Sequence, residues 1–136
     1  MIRPICRDRL LLAQKGVPAT PQDASLARDL LDTLAAHEAD CVGMAANMIG
    51  VPKRVIAVCA GPVRLAMLNP VLTRRSGPFT AEEGCLSLDG TRRAARYRTI
   101  EVTWQDEAFQ PHKQTFTGWT AQIIQHEIDH CEGVII

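Results

Sequence analysis

No apolar run in this chain approaches the ~18 residues that a membrane-crossing helix requires, so a membrane span is not expected. Excess charge is missing as well. Fifteen Lys and Arg residues balance fifteen Asp and Glu, which gives no electrostatic ground for specific nucleic-acid binding or an anionic membrane as partner. A disulfide scaffold is also lacking. The five cysteines, Cys6, Cys41, Cys59, Cys85 and Cys131, are odd in number and sit in mostly apolar segments, which fits a reducing cytoplasm. Near the N-terminus the apolar cluster Leu10-Leu11-Leu12-Ala13 is too short for a signal-peptide core, so export is not expected. Repeats and low-complexity segments are absent, which excludes solenoids and arrays.

What is present is the composition of one soluble globular domain. The 136 residues, 46% hydrophobic and 22% charged, suffice for a single core and are too few for two, so we expect one domain over 1–136. Thr20-Pro21-Gln22-Asp23 reads as a helix start, with a capping threonine, proline at the first helical position and an acid in the first turn. Leu26, Ala27, Leu30, Leu31 and Leu34 then recur at helical spacing opposite Arg28, Asp29 and Asp32. Segments 54–59 and 64–68 read as strands, punctuated by turns at Gly61-Pro62 and Asn69-Pro70. Ile100, Val102 and Trp104 alternate with Glu101, Thr103 and Gln105, the pattern of a strand with one buried face. A last helix is expected from about Thr120 to Glu132, stopped by Gly133. Strands clustered between two helices predict an α+β fold, with an antiparallel or mixed sheet packed around the C-terminal helix.

That helix carries the chemistry. Gln125-His126-Glu127-Ile128-Asp129-His130 contains His-Glu-x-x-His, and residues four apart on a helix project from one face, so both imidazoles are able to chelate one ion. Glu127 is placed to reach a water beside the ion without ligating it. Chance would produce the pattern in roughly one such chain in a few hundred, so a third ligand decides the matter. It must lie upstream: Gly133 continues the extended zinc-protease pattern, but Ile136 stands where its third histidine belongs. Cys85, in Glu82-Glu83-Gly84-Cys85-Leu86-Ser87, is the best candidate, next to a glycine that permits unusual backbone geometry. Cys131 sits about 100° around the helix from His130 and is read as packed. His37, at a helix end, and His112, in a polar loop, are read as surface residues.

Three segments in this order resemble the signature motifs of the peptide deformylases: Cys41-Val42-Gly43-Met44-Ala45-Ala46-Asn47-Met48-Ile49-Gly50, then Glu83-Gly84-Cys85-Leu86-Ser87, then the histidine segment. The resemblance implies Cys85, His126 and His130 as ligands of one divalent metal, commonly Fe(II), with Zn(II), Ni(II) or Co(II) as substitutes. It implies that the formyl group is removed from the N-terminal methionine of newly synthesised proteins, with Glu127 as general acid and base. The Leu86 backbone N–H would face the oxyanion, Gly43 would meet the extended peptide, and Met44, Trp119 and Ile123 would surround the methionine side chain. For those three, ordinary core packing is an equal reading.

The first motif departs from the family at three positions. Met48 replaces a glutamine that donates to the oxyanion, and a thioether has no hydrogen to donate. Cys41 stands where glycine is usual, and Asn47 where proline is common. The basic run Arg92, Arg93, Arg96 and Arg98 is a candidate for peptide carboxylates or ribosomal RNA, with Arg92 singled out, although such a run is usually a solvated face. The substrate also leaves room for a transient contact with the ribosome, while an end at Ile136 predicts the lack of a C-terminal docking tail. Two further readings stay open: a metal-binding paralogue with impaired catalysis, and an amidase for a different N-acyl peptide.

Overall fold

Val55, Ile56, Ala57 and Val58 are buried without a break, because the strand they form is covered on both sides. Val55 and Ala57 join one apolar cluster with Leu26, Leu30 and Leu34, whereas Ile56 and Val58 join a second with Ala121, Ile123 and Ile124. Successive side chains of a strand point to opposite faces, so this single run feeds two cores. The computed structural model describes residues 1–134; Ile136, and with it the reading of the C-terminal end, lies outside them.

In chain order the elements are α1 (Arg9–Leu12), α2 (Ala24–Ala36), β1 (Gly43–Ala45), β2 (Val55–Ala60), β3 (Val63–Cys85), β4 (Leu88–Gln105), β5 (Pro111–Thr117) and α3 (Gly118–Cys131), with short 3₁₀ turns at Pro21–Asp23 and Ala46–Ile49. The strands form one five-stranded sheet in the order β1-β2-β3-β4-β5, every neighbouring pair antiparallel. Helix α2 packs on one face and α3 on the other, the α+β arrangement expected. No helix of the described residues is long and apolar enough to cross a membrane.

The helix read from Thr20 opens as a 3₁₀ turn over Pro21–Asp23 that runs into α2 at Ala24. The Asp23 carboxylate accepts the Thr20 N–H at 2.7 Å, and the apolar stripe at Leu26, Ala27, Leu30 and Leu34 is buried. At the other end, Gly133 (φ 76) stops α3 by donating its N–H to His130 O, while Val134 N–H reaches Asp129 O, both at 3.0 Å. The left-handed backbone asks for glycine there, and a Cβ would stand 2.4 Å from the Ala13 carbonyl oxygen.

Two features differ from the sequence reading. Asn69-Pro70 does not end a strand: β3 runs through it, with Asn69 at φ 52 and a register shift between Leu68 and Val71. The bulge is tolerated because the Asn69 side chain accepts from Ala19 N at 2.7 Å and donates to Gln105 Oε1 at 2.8 Å. His112 is exposed as expected, but it lies in β5 rather than a loop. There its ring stacks on Trp104 at 5.3 Å and pairs with Asp106 at 2.7 Å.

Candidate metal centre

Helix α3 presents Gln122, Ile123, His126, Glu127 and His130 toward β1 and the β3–β4 turn, and its partners explain how it is held. The Gln125 carboxamide bonds both backbone groups of Tyr97, accepting its N–H and donating to its C=O at 2.8 Å each, as a neighbouring strand would. Asn47 donates its amide to His130 O at 3.0 Å and to Leu12 O at 3.4 Å. The helix is thus anchored to the sheet at its middle and to the first motif at its end.

His126 Nε2 and His130 Nε2 approach to 3.0 Å, and together with Cys85 Sγ these ligand atoms all lie within 4.8 Å of one another. Cys85 reaches them from the last position of β3, where the register shifts between Gly84 and Cys85 just before the Leu86-Ser87 turn. Gly84 has no backbone strain to relieve: a Cβ there would make ordinary contacts with the Gly90 carbonyl oxygen at 3.6 Å and Thr91 Cγ2 at 4.0 Å. Its value is the open cavity wall it leaves beside Cys85.

Behind His126 stands Glu83, buried at 7% exposure, whose Oε1 meets His126 Nδ1 at 2.9 Å. The carboxylate also receives Arg96 Nη2 at 2.6 Å and Gln122 Nε2 at 2.9 Å, and Arg96 Nη1 continues to Asp129 at 2.6 Å. Burial alone would raise the Glu83 carboxyl, but hydrogen bonds from His126, Arg96 and Gln122 hold it down at about 2. An ionised Glu83 fixes the His126 proton on Nδ1 and turns Nε2 toward His130 and Cys85, the usual arrangement of a histidine prepared for a metal. Burial pushes the His130 imidazole down, keeping it a neutral donor.

Glu127 is 4% exposed, and its Oε1 has no partner among the described residues. Burial pushes its carboxyl up to about 7. A buried acid with an unpaired oxygen in the cavity beside these donors is suited to pick up and release a proton. The donor set fits a metal: one cysteine sulfur and two imidazoles converge, the first histidine is oriented by a carboxylate, and the neighbouring acid does not belong to the cluster.

These groups open into a cavity of about 560 Å³. Gly43, Leu86, Trp119 and Ile123 line it, Trp119 at the mouth with 61% exposure. Met44 does not. Alternation along β1 turns Gly43 and Ala45 toward α3 and Met44 toward α2, where it is fully buried in that core. Arg92 is not in the wall either; it stands across the strand pair from Glu83, with Nη1 buried and unpaired. The arginine that matters is Arg96, whose side chain is 3% exposed. Counting back by twos from Ile100 places 92, 94, 96 and 98 on one face, so a strand reading of this run would have narrowed the choice without making it.

Met48 lines the cavity, and its Sδ accepts the Ala45 N–H at 3.4 Å. The Asn47 amide is committed to backbone carbonyls and does not replace the missing donor. Cys41, at the same wall, donates its thiol hydrogen to Gly43 O at 2.8 Å, and burial pushes that thiol up to about 12.

The family model described as polypeptide deformylase matches residues 4–136. The chain belongs to the polypeptide deformylase family. A peptide deformylase of Clostridium beijerinckii is 52% identical over 136 residues, covering 100% of both chains. One from Pelotomaculum thermopropionicum is 41% identical over 132 residues, 94% of this chain and 83% of the relative. Among solved structures, a peptide deformylase from Thermotoga maritima superposes with TM-score 0.88 at 26% identity, covering 99% of this chain and 95% of that one. A class I type b peptide deformylase from Acinetobacter baumannii, solved with Met-Ala-Ser bound, gives TM-score 0.88 at 26% identity, covering 99% and 97%. Membership of the deformylase family makes the chain an enzyme, and with the Cys85–His126–His130 cluster it makes the centre a site for a single metal ion.

Proposed function

We propose that this deformylase removes the formyl group from the N-terminal methionine of newly made proteins, with Cys85, His126 and His130 holding one divalent ion and Glu127 moving the protons. The observation that carries the assignment of roles is the convergence of those three donors beside a buried acid that is not one of them. A thiolate with two imidazoles favours a borderline metal, and Fe(II) is our choice, with Zn(II), Ni(II) or Co(II) able to occupy the same donors.

When bound, the ion supplies Lewis acidity, polarising the formyl carbonyl and making a water acidic enough to attack at neutral pH. Glu127 takes the proton from the attacking water and returns it to the departing amine nitrogen. Glu83, held by Arg96, keeps His126 Nδ1 protonated and its ring fixed while charge shifts at the centre. The Leu86 backbone N–H, in the turn after Cys85, faces the negative charge developing on the formyl oxygen. Gly43 offers the backbone against which the extended peptide lies, and Trp119 and Ile123 bound the space for its first side chain.

The free state of all five cysteines supports a reducing cytoplasm as the working compartment. A transient ribosome contact near the emerging substrate would draw on exposed arginines of the β3–β4 pair, Arg75 and Arg98 among them. Identity of 52% over the whole length to a peptide deformylase favours this function over an impaired paralogue or an amidase for another acyl group.

The test is formate release from formyl-Met-Ala-Ser by protein purified without oxygen and loaded with Fe(II) or Ni(II), beside Glu127→Ala loaded to the same metal content. Turnover that disappears in the variant supports the assignment. Metal-loaded protein that releases no formate, or a variant that keeps its turnover, overturns it.

A further inference from the structure

Gln122 lies one turn before His126 on the same face of α3 and lines the cavity, between Trp119 at the mouth and the metal donors. Its Nε2 donates to Glu83 Oε2 at 2.9 Å. Glu83 has four further hydrogen bonds, from Arg96 Nε to both oxygens, from Arg96 Nη2 and from His126 Nδ1. A carboxylate in that network only accepts, so the carboxamide is oriented with nitrogen toward Glu83. One N–H hydrogen and the Oε1 of Gln122 remain, and no other hydrogen bond engages them among the described residues. The cavity wall carries apolar Met48, Leu86, Leu88 and Ile123, with the charged residues Arg7, Asp40, Glu82 and Asp89 at its exposed positions.

A formyl group at the metal donors fixes where the first residue begins, because its Cα is two bonds from the formyl carbon. One helical turn is about 5.4 Å, so Gln122 stands within reach of a methionine-length side chain pointing along α3. A thioether accepts a hydrogen bond weakly, and the chain already holds one such bond, from Ala45 N–H to Met48 Sδ at 3.4 Å. An aliphatic side chain of the same length offers no acceptor.

We propose that Gln122 is a specificity-determining residue, whose carboxamide, clamped by Glu83, donates its remaining N–H to an acceptor in the substrate's first side chain. The proposal rests on the deformylase assignment of the site. The pocket then favours methionine over an isosteric aliphatic residue, and it admits methionine sulfoxide, whose oxygen is the stronger acceptor. A formyl peptide oxidised at its first residue remains a substrate.

The experiment uses metal-loaded enzyme and three peptides, formyl-Met-Ala-Ser, formyl-norleucine-Ala-Ser and formyl-Met-sulfoxide-Ala-Ser, with kcat/KM for wild type and for Gln122→Leu. The wild type is expected to prefer methionine over norleucine by roughly three- to tenfold, the worth of one hydrogen bond, and to process the sulfoxide at least as well as norleucine. Gln122→Leu is expected to bring methionine and norleucine within about twofold and to depress the sulfoxide at least tenfold relative to norleucine. Binding of the products Met-Ala-Ser and norleucine-Ala-Ser to the wild type, by calorimetry, reads the same preference without turnover or substitution. Equal handling of methionine and norleucine by the wild type in rate and product affinity overturns the proposal, as does a preference that survives in active Gln122→Leu. Absence of formate release from all three peptides by the loaded wild type overturns the assignment on which it rests.

Discussion

Gly43 stands where the Glu127 side chain passes: a Cβ on Gly43 would lie 2.9 Å from Glu127 Oε2 and 2.6 Å from Ile123 Cγ2. The missing side chain lets α3 close on β1 and brings the acid against the strand that lines the cavity. Gly43→Ala is therefore expected to keep the fold, because its backbone needs no left-handed conformation, and to displace the carboxylate. Misplacement of a reacting group by about an ångström costs on the order of 10²-fold in rate. Steady-state kcat measured beside far-UV circular dichroism and metal content checks this, and an unimpaired kcat would show that the contact does not position Glu127.

In the role proposed for it, Glu127 is a base only when ionised. Burial raises its carboxyl to about 7 in the metal-free chain, and a bound cation lowers it. Activity of the loaded enzyme is expected to fall on the acid side with a midpoint below 7, as the carboxylate takes up a proton. Glu127→Gln is expected to remove that acid limb and to lower kcat by about 10²- to 10⁴-fold at unchanged metal content. A pH profile of both proteins decides it.

The Glu83 carboxyl is held at about 2 in the folded chain, against an ordinary value of 4.5. A depressed carboxylate contributes stability that is fully present above its unfolded value and is lost as pH falls through the folded one. Glu83→Gln also leaves Arg96 and His126 without their charged partner. It is expected to cost on the order of 3 kcal/mol above pH ~5, with the deficit shrinking toward pH ~2. Urea unfolding of both proteins at several pH values measures the difference, and a deficit independent of pH would contradict the ionised network.

Met48→Gln restores a donor at the position where the family resemblance expects one. A glutamine Oε1 is able to take over the Ala45 N–H now accepted by Met48 Sδ, leaving its amide hydrogens for the oxyanion. The variant is expected to raise kcat by about tenfold or more, since one oxyanion donor is worth ~10²- to 10³-fold where it is well aligned. A kcat equal to or below that of the wild type would show that the cavity is organised around the thioether.

Local periodicity made the two principal helices legible. The stripe at Leu26, Leu30 and Leu34 and the i, i+4 histidines are properties of a helix alone, so their faces follow from spacing. Alternation at Ile100, Val102 and Trp104 likewise located the buried face of β4. The unread parts depend on a partner far away in the chain. Asn69-Pro70 looks like a turn until Ala19 and Gln105 are seen to hold it within β3. The first half of β4, Leu88 to Arg96, is rich in arginine, and its strand character comes from pairing with Phe79 to Cys85.

The sequence by itself determined the candidate donors, the helix that carries two of them and the acid beside them, because motif spacing and helical geometry act within a few residues. The tertiary structure alone decided which arginine is buried against Glu83, that Met44 turns away from the cavity and that Asn47 is committed to His130. Each depends on which strand or helix covers a face, and burial is a property of the folded surroundings rather than of the residue.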